Sequence, residues 1–415
     1  MIKATIAQYR GLRSSVKAML YLHWVYTFVG SMTEVFVNIY LYKHFESVLF
    51  NIIANMVYFV GCGIGFSLIG YVAAFYRMNM KRGYLSAFGA MCLSFFFLYG
   101  AVSVTDALVF MFVNGFGLGL YWVTLHTFEL TETENHERDY YSSILSAGDQ
   151  IITLTAPAFA TLLFYLSDDV LHVGTYTLLF ISAPLLYLLG IPLFGKIGSY
   201  HPHPIERIDV IHFLTNKKNI RAQLYLFATS ADYAVASVII PVSTIIFLGT
   251  EKHVGMFATI FAVISAAALI GFSRVRHSGN RLRFLFVTVS ISALATFLVA
   301  ARFELAIFIA YSLVSVLVRP LRRVSEHVID LETMEMLGRE ESDFFPTMIF
   351  RDAAFAVWRL LTLSLFALLV LAIGEGVTAL RIGFAVIGMS LLLIYIGARL
   401  FYRSSSSHAP PFTAK

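Results

Sequence analysis

Ionisable side chains recur at helical spacings inside apolar runs of this 415-residue chain. Trp122, His126 and Glu129 fall at i, i+4 and i+7, on one face of a helix. Arg323, His327 and Asp330 repeat that arrangement 201 positions later, "HTFEL" matching "HVIDL". A histidine beside a carboxylate can pass a proton. Upstream, Thr27, Ser31, Glu34 and Asn38 fall at i, i+4, i+7 and i+11, with His23 one turn earlier. They form one polar stripe on an otherwise apolar segment, suited to binding a solute or carrying a proton. Facing lipid, Glu34 would cost about 2.5–3.5 kcal/mol. It is therefore expected to face protein or water, either as a cavity wall or as a carboxyl hydrogen-bonded to neighbouring helices.

The second half of the chain carries the cations. Arg319 lies mid-way along an apolar run beside Pro320, where the helix is expected to bend, and Arg322 and Glu326 stand at i, i+4. An arginine at that depth needs an anion. Two sources stay open: an anionic group on a substrate, or a structural pair with Glu34 or Asp232. Asp232, flanked by Ser230 and Tyr233, is the one acid deep in its run. It reads as a substrate or proton site or as a satisfied core acid, and Arg359 has no role beyond pairing.

Asp149 aligns with the Arg351–Asp352 pair of the later copy. With His126, Glu129 and His327 these residues are expected near the cytoplasmic ends of their helices. They read as a charged latch closing that mouth, or as static pairs anchoring helix ends in the headgroup region. Histidine titrates near neutral pH as no other unshifted side chain does, and a carboxyl buried away from water, as Glu34, Asp149 or Asp232 would be, favours its protonated form. Proton coupling is the resulting expectation.

The elements that must hold these groups follow from composition. The chain is 58% hydrophobic and 13% charged; soluble domains carry about 25% charged residues, so the solvent is a bilayer. Apolar runs near 18–42, 49–76, 83–102, 106–130, 140–166, 174–194, 222–248, 253–273, 282–300, 303–327, 344–372 and 376–402 predict twelve transmembrane helices. They must be helices, because lipid leaves unpaired backbone groups unsatisfied and no strand-like alternation recurs. The first run is too long for a signal-peptide core and is expected to remain as a span.

Twenty-three of the 30 Lys and Arg fall on one side if both termini are cytoplasmic, and four on the other. That bias sets the expected orientation. The predicted organisation is a cytoplasmic N-terminus over 1–17, a six-helix bundle over 18–194, a cytoplasmic loop over 195–221, a second bundle over 222–402 and a disordered tail over 403–415.

Gly70 and Gly271 precede short basic loops at the same 201-residue offset, and "DYY" at Asp139 matches "DFF" at Asp343. Ordered matches at a near-constant offset indicate two homologous halves. Two six-helix halves around a long cytoplasmic loop, with basic loops after the second and eighth spans, resemble the major facilitator superfamily. Gly70, Arg77, Lys81 and Arg82 fit its loop signature without the aspartate, and the fifth-span signature is reduced to Ala156–Pro157–Ala158. The resemblance implies an all-α membrane protein of two pseudo-symmetric bundles, with the first, fourth, seventh and tenth helices lining a central cavity. It implies transport by alternating access.

The candidate substrate or proton site is Thr27, Ser31, Glu34, Asn38, Trp122, Asp232, Arg319 and Arg323; the candidate cytoplasmic gate is His126, Glu129, Asp149, His327, Arg351 and Asp352. No cofactor, metal or nucleic acid is expected; the partners are a small solute and membrane lipid, and the chain is expected to be a monomer in a bacterial cytoplasmic membrane. The run "ETENHERD" reads as a solvated charge run, the glycines of "GFGLG" as helix-packing positions, and Cys62 and Cys92 as core residues. No Walker sequence is present. A lipid or amphiphile flippase on the same scaffold stays open as an alternative. A membrane-embedded lipid-modifying enzyme is disfavoured, because the polar groups are spread over both halves rather than converged on one reacting atom.

Overall fold

The computed structural model describes residues 9, 11–76, 79–100, 102–133, 135–201, 220–272, 281–338 and 344–405. Twelve long α-helices run through them: α1 Ser14–Phe45, α2 Val48–Tyr76, α3 Met80–Ser94, α4 Val104–Glu132, α5 Asn135–Tyr165, α6 Thr177–Leu188, α7 Ile220–Leu248, α8 Glu251–Phe272, α9 Arg281–Ala301, α10 Leu305–Gly338, α11 Phe344–Ile373 and α12 Val377–Ser405. The described residues include no strand. Nine helices among them are long and apolar enough to cross a bilayer. α1, α3 and α8 fall outside that group: α1 carries the polar stripe, α3 has 15 residues, and α8 opens on Glu251, Lys252 and His253.

The helices form two compact units. The first comprises 1–40, 57–208 and 251–259, the second 41–56, 209–250 and 260–415. Tyr84, Tyr121, Phe36, Phe59, Phe128 and Phe164 fill the core of the first unit, and Tyr225, Phe308 and Phe384 that of the second. Leucines on α9 and α11, such as Leu294, Leu298, Leu365 and Leu368, are exposed. This inversion suits a lipid solvent, in which backbone groups stay inside helices while apolar side chains face out.

Helix packing in the first unit rests on paired glycines. Gly65 of α2 meets Gly119 of α4, while Gly61 lies against the Phe112 backbone and Gly115 against that of Tyr58. A Cβ on Gly115 would lie 2.0 Å from the Tyr58 carbonyl oxygen, and one on Gly119 2.3 Å from that of Cys62. Two small-xxx-small faces thus bring the backbones together, as the spacing in "GFGLG" suggested. In the second unit α7 packs on α12 and α11, and α9 on α12 and α10.

Local chemistry fixes the ends. Ser103 and Asp106 form a reciprocal capping box at the start of α4. α7 ends on Gly249 at φ +78°, whose N–H donates to the Ile245 carbonyl at 2.8 Å. α11 ends likewise on Gly374 at φ +88°. α10 continues through Pro320 as one helix.

Three further contacts hold polar ends. Within the first unit, Lys252 Nζ lies 2.8 Å from Asp169 and 3.5 Å from Asp168 in the π-helical turn after α5. Tyr176 donates to Glu251 at 2.7 Å. Within the second, Ser47 and the Leu49 N–H donate to Glu375, placing a carboxylate at the N-terminus of α2.

Candidate functional site

Each unit collects ionisable side chains within its helices. In the first, α1, α4 and α5 converge. His23 of α1 is 5% exposed; its Nδ1 meets the Tyr121 hydroxyl at 2.7 Å and its Nε2 lies 3.3 Å from Asp149 of α5. Tyr26 stacks on Tyr121 with centroids 3.9 Å apart, and Trp122 stacks on His126 at 5.3 Å. His126 Nδ1 is 3.1 Å from Glu129, whose other oxygen accepts from Tyr141 at 3.1 Å. Gly148 allows α5 this close to α1: a Cβ there would lie 2.1 Å from Trp24 Nε1. The result is two hydrogen-bonded strings, Asp149–His23–Tyr121 and His126–Glu129–Tyr141, joined through Trp122. Each can relay a proton.

The stripe on α1 divides. Thr27 and Ser31 are half-buried, Glu34 is exposed, and Asn38 is buried with its amide donating to the Glu34 carbonyl at 3.1 Å. A separate apolar groove of about 600 Å³ runs past Tyr21, Trp24, Phe28 and Ile152 to Leu193 and shares none of these acids.

In the second unit α7 and α10 hold the charges. Arg322, 4% exposed, reaches Asp232 with Nη2–Oδ2 at 3.1 Å and Glu326 with Nε–Oε1 at 3.4 Å. Arg323 is largely exposed and lies 3.9 Å from Glu326. Arg319 is exposed, and among the described residues no carboxylate lies within 4.0 Å of it. The expected structural pair with Asp232 thus goes to Arg322. The side chains at 319 and 322 lie about 60° apart around the helix and about 4.5 Å apart along it, and Arg322 is the one that reaches α7.

On α11, Arg351 pairs with its neighbour Asp352 at 2.9 Å, both buried, and Arg359 lies over the Tyr233 ring at 4.6 Å. Trp358 Nε1 donates to Gln223 of α7 at 3.0 Å. The side chain of His327 lies outside the described residues, as do those of Asp330, Asp139 and Asp343, so the structure does not bear on those partners. Among the gate candidates, Asp149 goes to His23, Glu129 to His126, and Arg351 to Asp352.

Sequence reasoning left out Tyr121, Tyr26 and Tyr141, and gave His23 only a place above the stripe. Tyr121 adjoins Trp122, but a tyrosine in an apolar run reads as core until its hydroxyl is seen to meet an imidazole. No group of His, Cys, Asp and Glu among the described residues could hold a metal ion.

The Major Facilitator Superfamily family model matches residues 19–319, from within α1 into α10. The chain belongs to the Major Facilitator Superfamily. It is an integral membrane transporter, not an enzyme. Solved structures agree in fold. A mutant of the nucleoside transporter NupG superposes with a TM-score of 0.66 at 11% identity, covering 94% of this chain and 100% of that one. A mutant of the peptide transporter POT, in complex with alafosfalin, gives 0.68 at 12% identity, covering 94% and 95%. No curated protein matches the sequence significantly. For a facilitator-superfamily chain, charged groups inside both units are the residues to weigh first, since each is costly in a bilayer without a task.

Proposed function

We propose that this protein is a proton-coupled secondary transporter of a small solute, working by alternating access in a membrane with both termini cytoplasmic. The observation that carries the reading is the Asp149–His23–Tyr121 string, with Nε2 and Oδ1 at 3.3 Å inside the helices. A buried imidazole beside a half-buried carboxylate binds a proton without leaving a net charge stranded in the bilayer, and it can release that proton when a helix moves. Glu34, Thr27, Ser31 and Asn38 on α1, Trp122 on α4, Asp232 on α7 and Arg319 with Arg323 on α10 are the solute- or proton-binding candidates. His126, Glu129, Asp149, His327, Arg351 and Asp352 are the cytoplasmic-gate candidates; the pairs His126–Glu129 and Arg351–Asp352 each lie within one helix. The basic residues gathered in alternate loops support the orientation.

The test is uptake into vesicles of purified protein with an imposed proton gradient, screened over small solutes. Wild type should accumulate a solute only with the gradient. His23→Gln and Asp149→Asn should lose accumulation yet keep gradient-free exchange of labelled for unlabelled solute. Accumulation indifferent to the gradient would refute the coupling; no flux for any solute would refute transport by this chain alone.

A further inference from the structure

The transported solute carries an oxyanion, a carboxylate or phosphate, and Arg319 is the residue that binds it: this we infer from how the charges of α10 are shared. The inference rests on the transporter reading above and adds the chemical class of the solute. Three guanidiniums, Arg319, Arg322 and Arg323, lie within two turns of one helix, and two carboxylates, Asp232 and Glu326, serve them. Arg322 takes both carboxylates. Arg323 shares Glu326 at 3.9 Å. Arg319 has none among the described residues and is exposed, inside a segment apolar enough to span the bilayer. Among the described residues one positive charge is thus left over where a cation without an anion is costly.

A second observation points the same way. Arg322 is buried, yet its Nε and Nη1 complete no hydrogen bond. A guanidinium offers five donors in a planar fork matched to carboxylate and phosphate oxygens. Among the described residues, the acids leave Nη1 unused and reach Nε only at 3.4 Å, beside a third arginine that none of them meets. An oxyanion arriving with the solute would supply the missing charge and acceptors. A neutral or cationic solute would supply neither and would leave Arg319 uncompensated throughout the cycle.

This assignment separates Arg319 from a structural arginine by the sign of its effect on stability. An arginine held in an ion pair destabilises the protein when removed, because its partner is left charged. One kept for a ligand costs stability in the empty protein, and its removal does no harm.

The experiment uses full-length protein in neutral detergent. Thermal unfolding is followed with succinate, inorganic phosphate and glycerol 3-phosphate, and with succinamide and glycerol as uncharged counterparts; a further arm adds a short-chain anionic phospholipid. Without additive, Arg319→Ala should unfold at or above the wild-type temperature, and Arg322→Ala below it. At least one soluble anion should stabilise wild type while its counterpart does not. Arg319→Ala should weaken that response by about tenfold or more in apparent Kd, as loss of a charge-assisted bond does, and Arg319→Lys should keep part of it. The inference is overturned if no soluble anion stabilises wild type, if stabilisation survives in Arg319→Ala, if only the phospholipid acts, or if Arg319→Ala is destabilised as strongly as Arg322→Ala. Gradient-driven uptake of an uncharged solute, unchanged in Arg319→Ala, would leave the transporter reading standing and sink this one alone.

Discussion

Arg322 and Asp232 face each other across α10 and α7 at 3.1 Å, with side chains 5% and 15% exposed. That contact decides which arginine on α10 is structural. Taking one partner away leaves a buried charge without a counter-charge, at a cost of about 3–5 kcal/mol. Arg322→Met should therefore lower the unfolding temperature sharply, and Arg322→Met with Asp232→Asn should recover much of the loss. Equal destabilisation in single and double variants, measured in detergent, would mean that the pair is not what holds α7 to α10.

The α2–α4 seam depends on the absence of side chains. A Cβ at Gly115 or Gly119 meets backbone rather than a movable side-chain tip. The helices must then separate, as in overpacked cores, at about 1–3 kcal/mol per site. Gly115→Ala and Gly119→Ala should each reduce the yield of monodisperse protein, whereas Gly89→Ala, with open space around it, should not. Chromatographic profiles of the three variants test this directly.

Tyr121 ties His23 into the first unit through a 2.7 Å hydrogen bond. Tyr121→Phe keeps the ring stacked on Tyr26 and removes only the hydroxyl, for about 0.5–1.5 kcal/mol. Folding should survive. The pH profile of gradient-driven uptake should shift, because the imidazole loses the partner that orients its second nitrogen. An unshifted profile would show that His23 takes no part in coupling.

Lys252 supplies the pH dependence outside the membrane. Its hydrogen bond with Asp169 raises its pKa above the ordinary 10.5, opposed by some desolvation. A raised folded-state value means that the contact stabilises below the ordinary lysine pKa and is lost as pH climbs through the raised one. Wild type and Lys252→Met should therefore differ in hydrogen exchange at the start of α8 from neutral pH up to about 10. The difference should close above that. A gap that closes in acid instead would place the controlling charge elsewhere.

The amino-acid order by itself determined that the chain lives in a bilayer, that it is all helical, and where most helices run. Those are consequences of composition and of apolar runs about 20 residues long, which need no knowledge of neighbours. It also placed Arg322 and Glu326 at contact spacing, since i, i+4 neighbours meet on any helix, and it identified Gly115 and Gly119 as packing positions. Two ends were less legible: α3 and α6 close in 3₁₀ turns, Phe95–Leu98 and Ile191–Lys196, within runs that read as uniform helix. Only the tertiary structure decided the partners across helices. On paper Asp232, about 90 residues away, is matched with Arg319, and Arg322 only with Glu326. The packing of α10 against α7 gives the acid to Arg322. His23 pairs with Asp149, 126 residues on, because Gly148 lets α5 come close enough. Helical periodicity names the face on which a side chain lies, and the packing of helices distant in sequence decides what that face meets.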